Sequence, residues 1–166
     1  MKRRTLLSMS VLLVPAVAAC AAAAEPTAKK GAPVVKREIE KTMEQWKKEL
    51  SPEAYHVLFE KGTERAFSGK YWNEHRDGVY NCAACATPLF SSADKFESGT
   101  GWPSYTRALN EQATEIIKDV SYGMVREEVV CRRCGGHLGH VFDDGPKPTG
   151  KRYCMNSVSM AFVPKP

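Results

Sequence analysis

A chain of 166 residues is long enough for one domain with its own core and too short for two of ordinary size. Its 43% hydrophobic and 26% charged residues are typical of a soluble globular protein. Once Lys2, Arg3 and Arg4 are assigned to a removable leader, 21 basic residues face 19 acidic ones, a balance that argues against nucleic acid as a partner.

The first 24 residues read as an export signal. Lys2, Arg3 and Arg4 form its charged start, and Leu6 to Val14 is an apolar stretch too short to span a bilayer. Two cleavage readings stay open. Val17-Ala18-Ala19-Cys20 resembles a bacterial lipobox, which would make Cys20 an acylated N-terminus and tether the domain to a membrane. Ala22-Ala23-Ala24 instead fits ordinary cleavage before Glu25. Arg3-Arg4 before Thr5-Leu6-Leu7 also resembles a twin-arginine signal, a route that exports proteins already folded. Each of these readings implies an exported protein of the periplasm or envelope.

Residues 25–35, rich in Ala, Lys, Pro and Gly, read as a linker to a single domain over 36–166. Ile39, Met43, Trp46 and Leu50 recur at helical spacing. A second helix is predicted after Ser51 as N-cap, with Pro52 at its first position, Tyr55, Leu58 and Phe59 as its buried stripe and Gly62 as its stop. From Val79 onward short β segments are punctuated by Gly, Pro, Asn and Asp. Ala113–Val120, Tyr122–Val130 and Ser157–Val163 are the strand candidates, the last because Val158, Met160 and Phe162 alternate with small residues. The expected class is mainly β (α+β), with short N-terminal helices on antiparallel sheets.

Cys82-Ala83-Ala84-Cys85 and Cys131-Arg132-Arg133-Cys134 are two matching CxxC turns. Each would place two sulfurs on one side of a tight knuckle, and two knuckles complete a tetrahedron of thiolates. The pairing favours one zinc over internal disulfides, although disulfides would suit an exported protein. Gly135 suits the reversal after the second pair, whereas Ala86 after the first fits less well. With all four positions taken by sulfur, such a zinc is structural.

Cys154 is then the one thiol left in the mature domain. If residues around it form one continuous strand, Arg152, Cys154 and Asn156 share a face that Val158, Met160 and Phe162 continue. A cation beside a thiol favours the nucleophilic thiolate, and an amide can donate to a substrate oxygen. Upstream, His140 reads as a proton shuttle, and His137 equally as a structural or a functional histidine. Asp144 could orient one of these cations or simply begin the turn at Gly145-Pro146. Trp102, in the turn Gly99-Thr100-Gly101-Trp102-Pro103-Ser104, is either core or the wall of a pocket for a small methyl-bearing group.

The stretches WKKELSPEAYHVLFEKGTERAFSGKYW, CAACATPLFSS, KFESGTGWPSY, CRRCGGHLGHVFDDGP and RYCMNS together resemble the methionine-R-sulfoxide reductase B family, over roughly residues 43 to 163. The resemblance implies a β-tent-like fold of antiparallel sheets around the zinc and reduction of the R epimer of methionine sulfoxide, in proteins or as the free amino acid. It implies Cys154 as nucleophile and Trp102 against the substrate methyl group. It implies His140 and Asn156 at the sulfoxide oxygen, with His140 the proton donor, and His137, Asp144 and Arg152 completing the polar shell. The chain departs from the family at one place. Many members carry a resolving cysteine in SGCGWPS, and here Thr100 stands in that position. The expectation is therefore a one-cysteine enzyme, a monomer, whose sulfenic acid is reduced by an external thioredoxin-like thiol. The competing readings are a zinc-ribbon-like binding module without turnover and a thiol peroxidase.

Overall fold

The computed structural model describes residues 37–166. The expected signal over 1–24, including Arg3-Arg4 and Cys20, and the linker over 25–35 lie outside the described residues. Two short helices open the domain. Helix α1 (Met43–Glu49) starts at a reciprocal capping box, in which Thr42 accepts from the Gln45 N–H and the Gln45 side chain accepts from the Thr42 N–H. The expected stripe is only partly buried. Trp46 is in the core, Met43 is 52% exposed, and Ile39 precedes the helix. Helix α2 (Pro52–Glu60) starts as its sequence predicts, with the Ser51 hydroxyl accepting from the Ala54 N–H and Pro52 in the first turn. Its inner face is Ala54, Val57 and Leu58, with Tyr55 and Phe59 at the margin. The chain turns away one residue before Gly62, through Lys61 in the left-handed region.

Nine strands follow, all paired antiparallel: β1 (Gly78–Cys82), β2 (Pro88–Ser91), β3 (Lys95–Phe96), β4 (Ser104–Tyr105), β5 (Thr114–Asp119), β6 (Arg126–Cys131), β7 (His137–Phe142), β8 (Arg152–Met155) and β9 (Met160–Pro164). They form a three-stranded sheet, β2-β1-β9, and a six-stranded sheet, β3-β4-β8-β7-β6-β5. The class read from the sequence is the one observed. Tyr80, Leu89, Phe90, Tyr105, Val129, Leu138 and Met155 fill the core, where Phe90 and Tyr105 stack with ring centroids 4.4 Å apart.

Two strand boundaries differ from expectation. Residues 121–123 form a single 3-10 turn, so the strand expected from Tyr122 begins at Arg126. The strand expected over Ser157–Val163 is a 3-10 turn at Ser157–Ser159 followed by β9. The reason is the Glu64 carboxylate, which accepts from the Ser157 N–H at 2.7 Å and the Val158 N–H at 3.0 Å. Those donors are taken out of any ladder, and the chain coils around the carboxylate instead. The face expected to run unbroken from Arg152 to Phe162 therefore ends at Met155.

Candidate active site and metal centre

The two CxxC turns meet. Cys82 ends β1, Cys131 ends β6, and the four sulfurs of Cys82, Cys85, Cys131 and Cys134 lie within 4.8 Å of one another. The Cys82–Cys134 and Cys85–Cys131 sulfurs are 3.7 Å and 3.5 Å apart, and none of these cysteines is disulfide-bonded. A tetrahedron with metal–sulfur bonds of ~2.3 Å has edges of ~3.8 Å, so the spacing fits a four-thiolate ion site. The four thiols act on one another: their neighbours, Cys131 foremost, push Cys82 and Cys134 up and Cys85 down, and Cys134 foremost pushes Cys131 down. A bound cation would favour the thiolate form of all four. The two knuckles are closed alike: the Ala86 N–H donates to Cys82 and the Gly135 N–H to Cys131, each at 2.8 Å. Both turns need the left-handed region, at φ 57° for Ala86 and 77° for Gly135. Alanine is strained there, so Ala86→Gly is expected to raise stability by roughly 0.5–1 kcal/mol, read by thermal denaturation of the metal-loaded protein.

Cys154 occupies the middle of β8, between β4 and β7. Its register partners are Ser104 on one side and His140 on the other. Directly opposed residues share a face, so a hydroxyl, a thiol and an imidazole form one row across the sheet. A chain of hydroxyls leads to the sulfur. Ser104 Oγ donates to Ser98 Oγ at 2.7 Å, Ser98 and Thr100 are 2.8 Å apart, and Thr100 Oγ1 lies 3.9 Å from Cys154 Sγ. Burial pushes the half-buried Cys154 thiol up, and Thr100, Arg152 and Ser104 offset this only in part. Alkylation of the substrate-free protein at Cys154 should therefore climb about tenfold per pH unit through neutrality and beyond the ordinary thiol range. A plateau near pH 7, followed by mass spectrometry of the labelled peptide, would contradict a resting thiol.

Both histidines are tied to acids that the sequence reading did not single out. His140 Nε2 is 2.9 Å from Asp119 Oδ2, and His137 Nδ1 is 2.8 Å from Glu128 Oε1. Lys61 Nζ donates to the other Glu128 oxygen at 2.8 Å, and Arg126 donates to Asp119 at 2.7 Å. Burial disfavours a charged Glu128, yet His137 and Lys61 more than offset it and hold the carboxyl below its usual range. Hydrogen bonds from Ser121 first, then from His140 and Arg126, hold Asp119 low. Burial keeps His140 below the ordinary imidazole value in spite of Asp119, so it is neutral at neutral pH. Since the ionised Asp119 only accepts, His140 carries its proton on Nε2. The two rings are 5.4 Å apart. Positions 137 and 140 would face opposite ways on a regular strand, and a bulge in β7 opposite Val129 and Val130 brings them together. Lys61, Asp119, Arg126, Glu128 and both histidines line one cavity of about 620 Å³.

Arg152 is held by Asp144 through two bonds of 2.8 Å, and its guanidinium lies 4.5 Å from the Phe142 ring centroid. Asp144 thus orients an arginine, not a histidine. Asn156 lies past the end of β8 and is buried. Its Oδ1 accepts from the Glu64 N–H at 3.0 Å, and its Nδ2 donates at 3.0 Å to the carbonyl of Leu138, inside the β7 bulge. The Trp102 indole N–H donates to the Glu64 carbonyl at 3.1 Å. Glu64 therefore binds Trp102, Asn156 and the turn after Cys154 into one unit, a function no local pattern announces.

The described residues thus form a β domain with one half-buried thiol mid-sheet, beside hydroxyls and paired with an acid-backed histidine, and with a four-cysteine cluster that could hold a metal ion. The SelR domain matches residues 50–164, and the chain belongs to that family, the methionine-R-sulfoxide reductase B family its motifs resemble. It is 62% identical over 125 residues to the peptide methionine sulfoxide reductase MsrB of Thiobacillus denitrificans, which covers 75% of this chain and 95% of that protein. Identity to the Methanosarcina barkeri protein of the same name is 58% over 129 residues, covering 78% and 91%. For the Pseudomonas putida protein it is 54% over 129 residues, covering 78% and 98%.

Proposed function

We propose that the chain is a peptide-methionine (R)-S-oxide reductase, an oxidoreductase that returns oxidised methionine to methionine. The observation that carries this reading is the row Ser104–Cys154–His140 with Thr100 3.9 Å from the sulfur. It sets one thiol among proton donors and acceptors, which sulfoxide reduction requires. Family membership and the named relatives support the same activity.

In this mechanism the Trp102 indole, fixed through Glu64, packs the substrate methyl group. His140 takes the Cys154 proton on Nδ1, and the Asp119 carboxylate steadies the imidazolium. The thiolate attacks the sulfoxide sulfur while His140 delivers that proton to the oxygen. Thiol and sulfoxide become sulfenic acid and methionine, with no atom left over. Arg152, oriented by Asp144, stabilises the thiolate, and His137 with Glu128 holds the wall of the polar cavity. Asn156 serves the oxygen through the placement of β7 that it maintains. Among the described residues the other four cysteines form the metal cluster. The sulfenic acid is therefore reduced by an external thioredoxin-like dithiol, which becomes a disulfide and releases water. The metal is one structural zinc, the chain acts as a monomer, and export through the N-terminal signal places it in the periplasm or envelope, with Cys20 the acylation point where cleavage follows the lipobox.

The test supplies purified R and S epimers with dithiothreitol and counts methionine formed. Turnover of R alone is expected, and equal turnover of both would refute the assignment. With one equivalent of R epimer and no reductant, intact mass should show one added oxygen or its thiol adducts. A quantitative intramolecular disulfide at Cys154 would overturn the one-cysteine recycling.

A further inference from the structure

Phe67 has no part in the chemistry above, yet its backbone is held in a costly conformation. Its φ is 64°, a region that bulky residues rarely occupy, and the residue is 57% exposed. Strain of this kind persists when the surroundings impose it. Here the Phe67 N–H donates to the Gly101 carbonyl at 2.8 Å. The ring lies so close over Gly101 that a Cβ there would meet its edge at 2.7 Å, which a side chain at 101 could not tolerate. The ring also makes a T-shaped contact with Trp72, with centroids 5.3 Å apart. The result is an aromatic shelf fixed to the turn that carries Thr100 and Trp102. Thr100 touches the Cys154 sulfur, Gly101 is buried, and Phe67 lies over Gly101 facing water. The shelf is thus one residue along the turn from the hydroxyl that meets Cys154.

We propose that Phe67 binds an apolar side chain next to the oxidised methionine of a polypeptide substrate, favouring peptides with apolar neighbours over those with polar ones. A sulfoxide with its sulfur at Cys154 must run outward along its own side chain to its backbone, and the neighbouring residues then reach the rim. Methionine is commonly a core residue, and a chain segment that contributes to a core carries other apolar residues close in sequence. An ordered ring already turned to solvent receives them without further ordering cost. The inference rests on the sulfoxide reductase reading.

The test compares two peptides, with leucine or with serine on both sides of a methionine-R-sulfoxide, and free methionine-R-sulfoxide. The enzymes are wild type, Phe67→Asn and Phe67→Tyr. Asparagine tolerates the left-handed backbone, so it removes the ring without adding strain. The wild type is expected to favour the leucine peptide about tenfold through KM. Phe67→Asn should bring the two peptides within about twofold, with kcat and free-substrate kinetics unchanged, and Phe67→Tyr should restore the preference. A preference that survives in Phe67→Asn overturns the proposal. So does an equal loss on peptides and free substrate in a variant with wild-type melting temperature. A wild type that reduces none of the three substrates refutes the reductase reading itself, and this proposal with it.

Discussion

Cys154→Ser will abolish reduction of methionine-R-sulfoxide, by ~10⁴-fold or more, without lowering thermal stability. A serine hydroxyl fits wherever the thiol fits, and its neighbours Thr100 and Ser104 are already hydroxyls. The fold therefore has no reason to respond. The chemistry does, since a hydroxyl at neutral pH supplies almost no anion and is a poor nucleophile toward sulfur. The variant should also gain no oxygen on exposure to substrate. Equal activity of both proteins would remove Cys154 from the mechanism, and a folded but inactive Cys154→Ser would leave the non-catalytic binding module with no support.

The second large effect lies at the other end of the sheet. Cys131→Ser should leave the protein without stoichiometric metal and either unfolded or melting at least ~15 °C lower, and prolonged chelation of the wild type should do the same. A structural four-cysteine site contributes about 10–16 kcal/mol of apparent binding free energy, comparable to the whole net stability of a domain, about 5–15 kcal/mol. Cys131 is fully buried at the end of β6, the strand that carries Glu128 and pairs with His140 on β7, so activity should fall with the fold. Metal analysis together with calorimetry checks this. A metal-free wild type with an unchanged melting temperature would show that the cluster does not hold the domain together.

The metal cluster was readable because a CxxC turn encodes its own geometry, and two of them need only meet. Ser51-Pro52 was readable for the same reason, as capping is settled within four residues. The break after Met155 was not. Val158, Met160 and Phe162 alternate as a strand would, and the cause of the turn is a carboxylate at Glu64, 93 residues from Ser157. The acids behind the histidines were hidden likewise. Asp119 and Glu128 reach His140 and His137 only because β5, β6 and β7 pair in this register and β7 is bulged. Cys154 could be isolated by elimination, whereas the acids that hold the two histidines near it are placed by long-range pairing.

The four-cysteine centre has a topological consequence. Its knuckles are sequence-distant, with Cys85 and Cys131 separated by 46 positions, and β2 to β5 lie in the chain between them. With an ion bound, that stretch is a closed ring that contains Thr100 and Trp102. A protease that nicks it at an exposed point such as Asn110 cuts one side of the ring and leaves the other joined through metal–sulfur bonds. The nicked chain would keep its turn against Cys154, and the two fragments would part when the ion is stripped. In a compartment rich in proteases, durability under cleavage would then be set by retention of the ion.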